Sequence, residues 1–418
     1  MTKKRTGNKK TAGMFGIIFI AYFVVNFHRY AGGISAPILV EELALTPSQV
    51  GLFGAIFTYC YAFANFPAGI LIDKFGSKRL IAILYLIAAV GTLMIGATQN
   101  FTIILLGRAF VAIGIAPVYA AASKVNAEWV APEKFTVMNG WLQSFGRAGG
   151  VIAATPLVLI ITAIGWRNTY YCLAVVSLVI AIAAYLLILD KDKTAEKQKN
   201  TQKSKLMKGF SVLVKQPQYW LTLVFMVSLN ATTVNIFANW GGVLLTQGLG
   251  FDSAVSSNIL LTGSIAAVLG GILSGYISAK KSAKFAGYIG QTLLLSACII
   301  LAFFTEQLTI PICYVTFFVI GLVEMYVIAS GFSLLRTQVT AKFVGTAFGF
   351  GNLIIWICGS SLVSQLWGVF IPKDYALFGF KIPLMFHVVL VAAGLICLKF
   401  IKEKPITALV DEGNKRSE

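Results

Sequence analysis

Apolar runs of about 20 residues recur along this chain, each long enough to cross roughly 30 Å of hydrocarbon at 1.5 Å per residue. They fall at 14–38, 49–72, 80–98, 101–126, 135–162, 168–189, 219–245, 254–277, 285–304, 310–335, 343–370 and 382–401. Backbone in lipid must satisfy its own N–H and C=O groups, so runs of this length fold as helices. The reading is an all-α membrane protein of twelve transmembrane helices. Composition agrees: 57% of residues are hydrophobic and 12% charged, where a soluble domain carries about a quarter charged.

The net charge of +18 invites a nucleic-acid partner until its placement is checked. Lys3, Lys4, Arg5, Lys9 and Lys10 precede span 1, and Lys74, Lys78 and Arg79 sit between spans 2 and 3. Lys134 follows span 4, a lysine-rich stretch from Lys191 to Lys215 follows span 6, and Lys280, Lys281 and Lys284 follow span 8. Threaded alternately, all of these fall on one side, leaving Arg167, Lys373 and Lys381 for the other. The positive-inside rule then puts both termini in the cytoplasm, in a plasma (inner) membrane, with anionic lipid headgroups and not nucleic acid as the contact. The start "MTKKRTGNKKTAGMFG" leads into a full-length span and does not read as a cleaved signal. The six cysteines lie inside apolar runs without metal-ligand spacing and read as packing residues.

One long polar stretch divides the chain. We expect a cytoplasmic N-tail at 1–13, a six-helix bundle at 14–190, a linker at 191–218, a second bundle at 219–401 and a C-tail at 402–418. Internal echoes support duplication, and hence two bundles with pseudo-two-fold symmetry. "FPAGILIDKFGSKR" after span 2 is matched in place by "LGGILSGYISAKKSAK" after span 8, and the glycine-rich fifth span by the eleventh.

Gly69, Leu71, Asp73, Lys74, Gly76, Lys78 and Arg79 in "GILIDKFGSKR" resemble the loop signature of the major facilitator superfamily between spans 2 and 3. "GRAFVAIG" (Gly107, Arg108, Gly114) is similar to that superfamily's fourth-span signature, and "GWR" at 165–167 looks like its motif before span 6. The resemblance covers the whole chain and implies a monomeric secondary transporter. It implies that Asp73 and its cationic neighbours latch the outward-open state; Gly69, Asp73, Gly76, Lys78, Arg79 and Arg108 form the latch set, Arg108 with an implied structural or proton-relay role. Read from the residues alone, an acid at a helix end beside cations and a tight glycine turn can bridge two helices. Ala279 stands where the second-half echo would need the acid, so no equivalent latch is expected there.

Polar groups inside the spans carry the functional reading. A guanidinium at mid-membrane costs at least about 2.5–3.5 kcal/mol on insertion scales and generally faces water or a partner. Arg29 lies about fifteen residues into span 1, on a stripe with Tyr22, Asn26, Tyr30, Gly33 and Pro37, while His28 points about 100° away. Gln143, Arg147 and Gly150 share a face of span 5; Thr232, Asn235, Asn239 and Gly242 one of span 7, with Trp240 beside it; Gly345, Gly349, Asn352, Trp356 and Gly359 one of span 11. The alternative for each stripe is small-residue helix packing. Glu324 in span 10 is an acid placed at mid-membrane, able to carry a proton or to form a static pair with a first-half arginine. Lys124 and Glu128 read as interfacial anchors.

Two guanidiniums in the first half favour an anion, held by bidentate, charge-assisted bonds. The 4–5 connection "SKVNAEWVAPEKFTVMNG" also resembles the superfamily's organic-anion branches, the anion:cation symporters and organophosphate:phosphate antiporters. Departures are visible: Ile115 replaces the symporters' coupling glutamate, span 7 lacks the antiporters' basic residue, and Arg147 stands where the drug exporters carry proline. The expectation is a proton-coupled carrier of a carboxylate, sugar acid or phosphate ester working by alternating access. A drug or metabolite exporter is the alternative and a non-transporting sensor a distant third. No phosphate loop, zinc motif or Cys/His cluster marks an enzyme, a cofactor or a metal.

Overall fold

The computed structural model describes residues 8–189, 215–326, 330–338 and 344–403. Residues 191–214 of the expected linker, both tail ends and the Asp73 side chain lie outside the described residues. The chain forms two compact units, residues 1–45 with 53–194 and residues 46–52 with 195–418.

In the first unit the helices are α1 (Asn8–Leu43), α2 (Pro47–Asn65), α3 (Ala68–Phe75), α4 (Ser77–Gly96), α5 (Phe101–Ile115), α6 (Val118–Trp129), α7 (Pro132–Ile152), α8 (Thr155–Ile164) and α9 (Trp166–Leu187). Breaks explain why nine helices make six spans. The second span is interrupted before Pro67, because a proline lacks the N–H and disfavours helix at the preceding residue. Gly76, at φ 78°, turns the chain from α3 into α4, a conformation that a Cβ opposes. Pro117 and Pro156 sit at the two other breaks, within a turn of the starts of α6 and α8.

In the second unit, α10 (Pro217–Thr233) runs into a π-helical segment, Val234–Asn239, a single α-turn and a second π segment, Leu244–Gly248. Then come α11 (Ser253–Lys280), α12 (Ala283–Phe303), α13 (Ile310–Glu324), α14 (Phe332–Thr337), α15 (Val344–Ile354), a π segment Ile355–Ser361, α16 (Leu362–Phe370) and α17 (Leu377–Phe400). Among the described residues nine helices are long and apolar enough to cross a membrane, and Met138–Ile152 with Thr155–Ile164, bent by 44°, is a tenth candidate. The broken second span and α13 complete the twelve.

Large apolar side chains such as Ile83, Leu186, Ile272 and Val369 stay exposed on the outer faces, the side that lipid covers. The interior holds the polar groups. In α10 these point in several directions: Ser228 accepts from Gln291 Nε2 of α12 at 2.6 Å, Asn230 Oδ1 accepts from Ser360 at 2.7 Å, and Thr232 meets His387 of α17 at 3.0 Å. α10 is thus stapled to three neighbours within five residues.

Candidate functional site

Glycines on α7 build the first unit's polar centre. A Cβ on Gly146 would run into the Tyr22 ring, one on Gly149 into the Phe23 carbonyl, and one on Gly150 would come within 2.8 Å of the Tyr30 ring. Their absence lets α7 lie directly against α1. That approach brings the side chains between them together. Tyr22 donates to Gln143 Oε1 at 2.8 Å, and Arg147 Nη1 donates to the Tyr30 hydroxyl at 3.1 Å.

Arg29 is half-buried and lies 5.7 Å from the centre of the same Tyr30 ring. Tyr30 is therefore shared by two guanidiniums, one at its face and one at its hydroxyl. The hydroxyls of Tyr22 and Tyr61 are within electrostatic reach of both arginines. Tyr119 packs against Tyr22 with ring centres 5.0 Å apart and planes tilted by 42°, beside Gln143. Asn26 turns its amide back onto the Tyr22 carbonyl at 3.0 Å and is 3% exposed, which makes it a support for the helix stripe. Half-buried cations with phenol and amide partners can seat a carboxylate, sulfonate or phosphate by charge-assisted hydrogen bonds.

Arg108 stands apart from the latch set in which the sequence placed it. It lies two turns from Asn100 on α5, whereas the loop around Gly76 meets α6, at the far end of that span. Its Nη1 donates to the His28 carbonyl at 3.1 Å, and its guanidinium lies over the rings of Phe57 at 4.1 Å and Phe53 at 5.1 Å. Gly32 leaves room for it, since a Cβ there would overlap the guanidinium. Arg108 knits α1, α2 and α5 together at the depth of Arg29. Of the remaining latch residues, Lys78 lies 4.9 Å from the Tyr185 ring, Gly76 makes the turn, Gly69 faces open space and Arg79 follows on the first turn of α4.

The expected face of span 7 holds only in part: Asn235 and Asn239 stay on one face, while Thr232 turns to another neighbour. Thr232 faces His387. Asn235, fully buried, donates to the Ala231 carbonyl at 2.8 Å and across to the Gly359 carbonyl at 3.1 Å. Asn239 donates to Asn235 Oδ1 at 3.1 Å. Trp240 is fully buried, stacks on Trp367 at 5.7 Å and gives its indole N–H to Ser364; its place is in packing. In span 11 Trp356, the second residue of the π segment, donates from Nε1 back to Asn352 Oδ1 at 3.1 Å.

Glu324 is 7% exposed and ends α13. That sets its carboxyl at a helix end. Lys124 and Glu128 pair at 4.0 Å across one turn of α6.

Sequence reasoning missed several partners. Glu42, near the end of α1, takes hydrogen bonds from both Trp166 Nε1 and Arg167 Nη1, which gives the "GWR" motif a mechanical purpose. His28 meets Ser177 at 3.0 Å, and Ser35 meets Tyr170 at 2.8 Å. His387 accepts at Nε2 from the Trp367 indole at 3.0 Å, so its other nitrogen carries the proton toward Thr232. The pairs are far apart in the chain, and no local pattern announces them.

A membrane-embedded helical protein with ionisable and hydroxyl side chains gathered inside its spans has the make-up of a solute carrier. A family model for the Major Facilitator Superfamily matches residues 18–364. The chain belongs to that superfamily. It is 25% identical over 415 residues to the probable sulfoacetate transporter SauU of Cupriavidus necator, covering 93% of each chain. It is 22% identical to the hexuronate transporter of Bacillus subtilis over 68% of each. Among solved structures, a bacterial homolog of the human lysosomal transporter Spinster superposes with a TM-score of 0.77 at 16% identity, covering 96% of this chain and 99% of that one. The nucleoside transporter NupG gives 0.74 at 16% identity, over 94% and 100%. Those two likenesses concern the fold.

Proposed function

We propose that this protein carries a small organic anion across the plasma membrane by alternating access, with both termini cytoplasmic and with proton movement coupled through Glu324. The observation that carries the reading is the convergence of Arg29 and Arg147 on Tyr30. Two permanent cations sharing one tyrosine repel each other in a half-buried setting, and an anion lodged against them relieves that repulsion. Gln143, Tyr22, Tyr61 and Tyr119 supply further hydrogen bonds for hydroxyls or a second acidic group. The relatives named for sulfoacetate and hexuronate transport support an organic anion as the solute.

The test is uptake into proteoliposomes with Arg29→Ala. Losing a charge-assisted contact worth about 1.5–3 kcal/mol weakens apparent affinity by roughly 10- to 100-fold. Membrane insertion and helix content stay at wild-type levels. Normal anion uptake by the variant discards the assignment.

A further inference from the structure

At the lysine-bearing end of the second unit, the proposed cytoplasmic side, the start of α12 and the end of α17 are tied by reciprocal charge contacts. Glu403 Oε1 accepts from Ala283 N at 3.0 Å and Oε2 from Lys284 N at 3.3 Å, placing a carboxylate at the start of α12. Lys284 Nζ in return donates to the Ile401 and Lys399 carbonyls at 2.6 and 3.1 Å, placing an ammonium at the end of α17. Each charge complements the dipole of the helix it caps. The floor of this corner is therefore fixed, and its helix N-terminus is already filled by the chain's own acid.

Above that floor two lysines are held sideways. Lys280 Nζ donates to the Tyr276 hydroxyl at 3.1 Å and lies 5.4 Å from that ring; Lys281 lies 4.4 Å from the Phe285 ring. These rings belong to the outer face. Tyr276 is 60% and Phe400 58% exposed, and Ile272, one turn deeper, is 70% exposed. Lys399 and Lys402 add two more exposed cations at the same corner. The result is a cationic rim standing directly on an apolar wall.

We propose that this corner, at the turn from the end of α11 into the start of α12, is a binding site for an anionic phospholipid. Lys280, Lys281 and the Tyr276 hydroxyl take the headgroup phosphate, and the acyl chains lie along Ile272, Tyr276 and Phe285. The apolar wall beneath the rim selects a lipid over a soluble phosphate, because a soluble anion leaves those faces uncovered. Aromatic rings under the ammonium groups hold them at the interface, where each lysine adds to attraction for acidic headgroups.

The test uses the full-length protein, purified with a mixture of phosphatidylglycerol and phosphatidylcholine and examined by native mass spectrometry. Wild-type protein retains phosphatidylglycerol preferentially, and Lys280→Gln/Lys281→Gln weakens that retention by about tenfold. Lys280→Arg/Lys281→Arg keeps it, and high salt removes it from the wild type without any substitution. Equal retention by wild type and the Gln pair overturns the proposal. So does displacement of the lipid by millimolar glycerol phosphate, which would make the site one for a soluble ion.

Discussion

Tyr30 owes its position to a residue that is missing from its neighbour. Gly150 leaves the space its ring occupies, and Arg147 then reaches its hydroxyl. Tyr30→Phe should keep the ring under Arg29 and remove the Arg147 bond, so transport affinity falls by about fivefold while the melting temperature holds, a split read from concentration-dependent uptake. Gly149→Ala should act differently. Its Cβ meets a backbone carbonyl, Phe23 O, which cannot swing aside; we expect about 1–3 kcal/mol of destabilisation, seen as a lower melting temperature with the solute absent. Thr232→Val tests the buried staples, leaving the His387 N–H without an acceptor at a cost of about 1–3 kcal/mol. The glycines are visible in the sequence, but the tyrosines they receive are more than a hundred residues away.

Breaks in the helices decide where the side chains of the second unit point. A π turn holds one residue more than an α turn, so the residues after Val234 shift from the positions that a 3.6-residue count gives them, although Asn235 and Asn239 still hydrogen-bond to each other. No composition signal distinguishes "VNIFAN" from an ordinary helical stretch, so the π segment was not legible in the sequence. The turn at Gly76 was legible in the sequence because a missing Cβ acts locally, whereas the breaks at Pro67, Pro117 and Pro156 fell inside runs read as continuous spans. Gly76→Ala should cost about 1–2 kcal/mol through the left-handed strain at φ 78°. The α3–α4 connection should then open more readily, which hydrogen exchange of its amides would register.

The transport cycle belongs to the whole molecule, and Glu324 is where its coupling can be interrogated. If the carboxyl carries the proton, Glu324→Gln should leave solute counterflow intact and abolish accumulation driven by a pH gradient, measured in the same proteoliposomes. Unchanged accumulation would remove Glu324 from the coupling. This separates solute recognition from energy coupling.

Hydrophobic run length, the placement of lysines and one loop signature were enough to specify twelve membrane helices in two sets and the family to which they belong. These signals are local: a span must match the thickness of the hydrocarbon, and a lysine resists crossing it. Side-chain meetings were settled by tertiary structure alone. Arg108 went to the His28 carbonyl and two phenylalanine rings, away from the loop with which its motif had grouped it, and Trp240 went into packing against Trp367. The physical reason is that helix rotation and the depth of each break are set by packing against neighbours distant in the chain, and one residue of register redirects a side chain by about 100°.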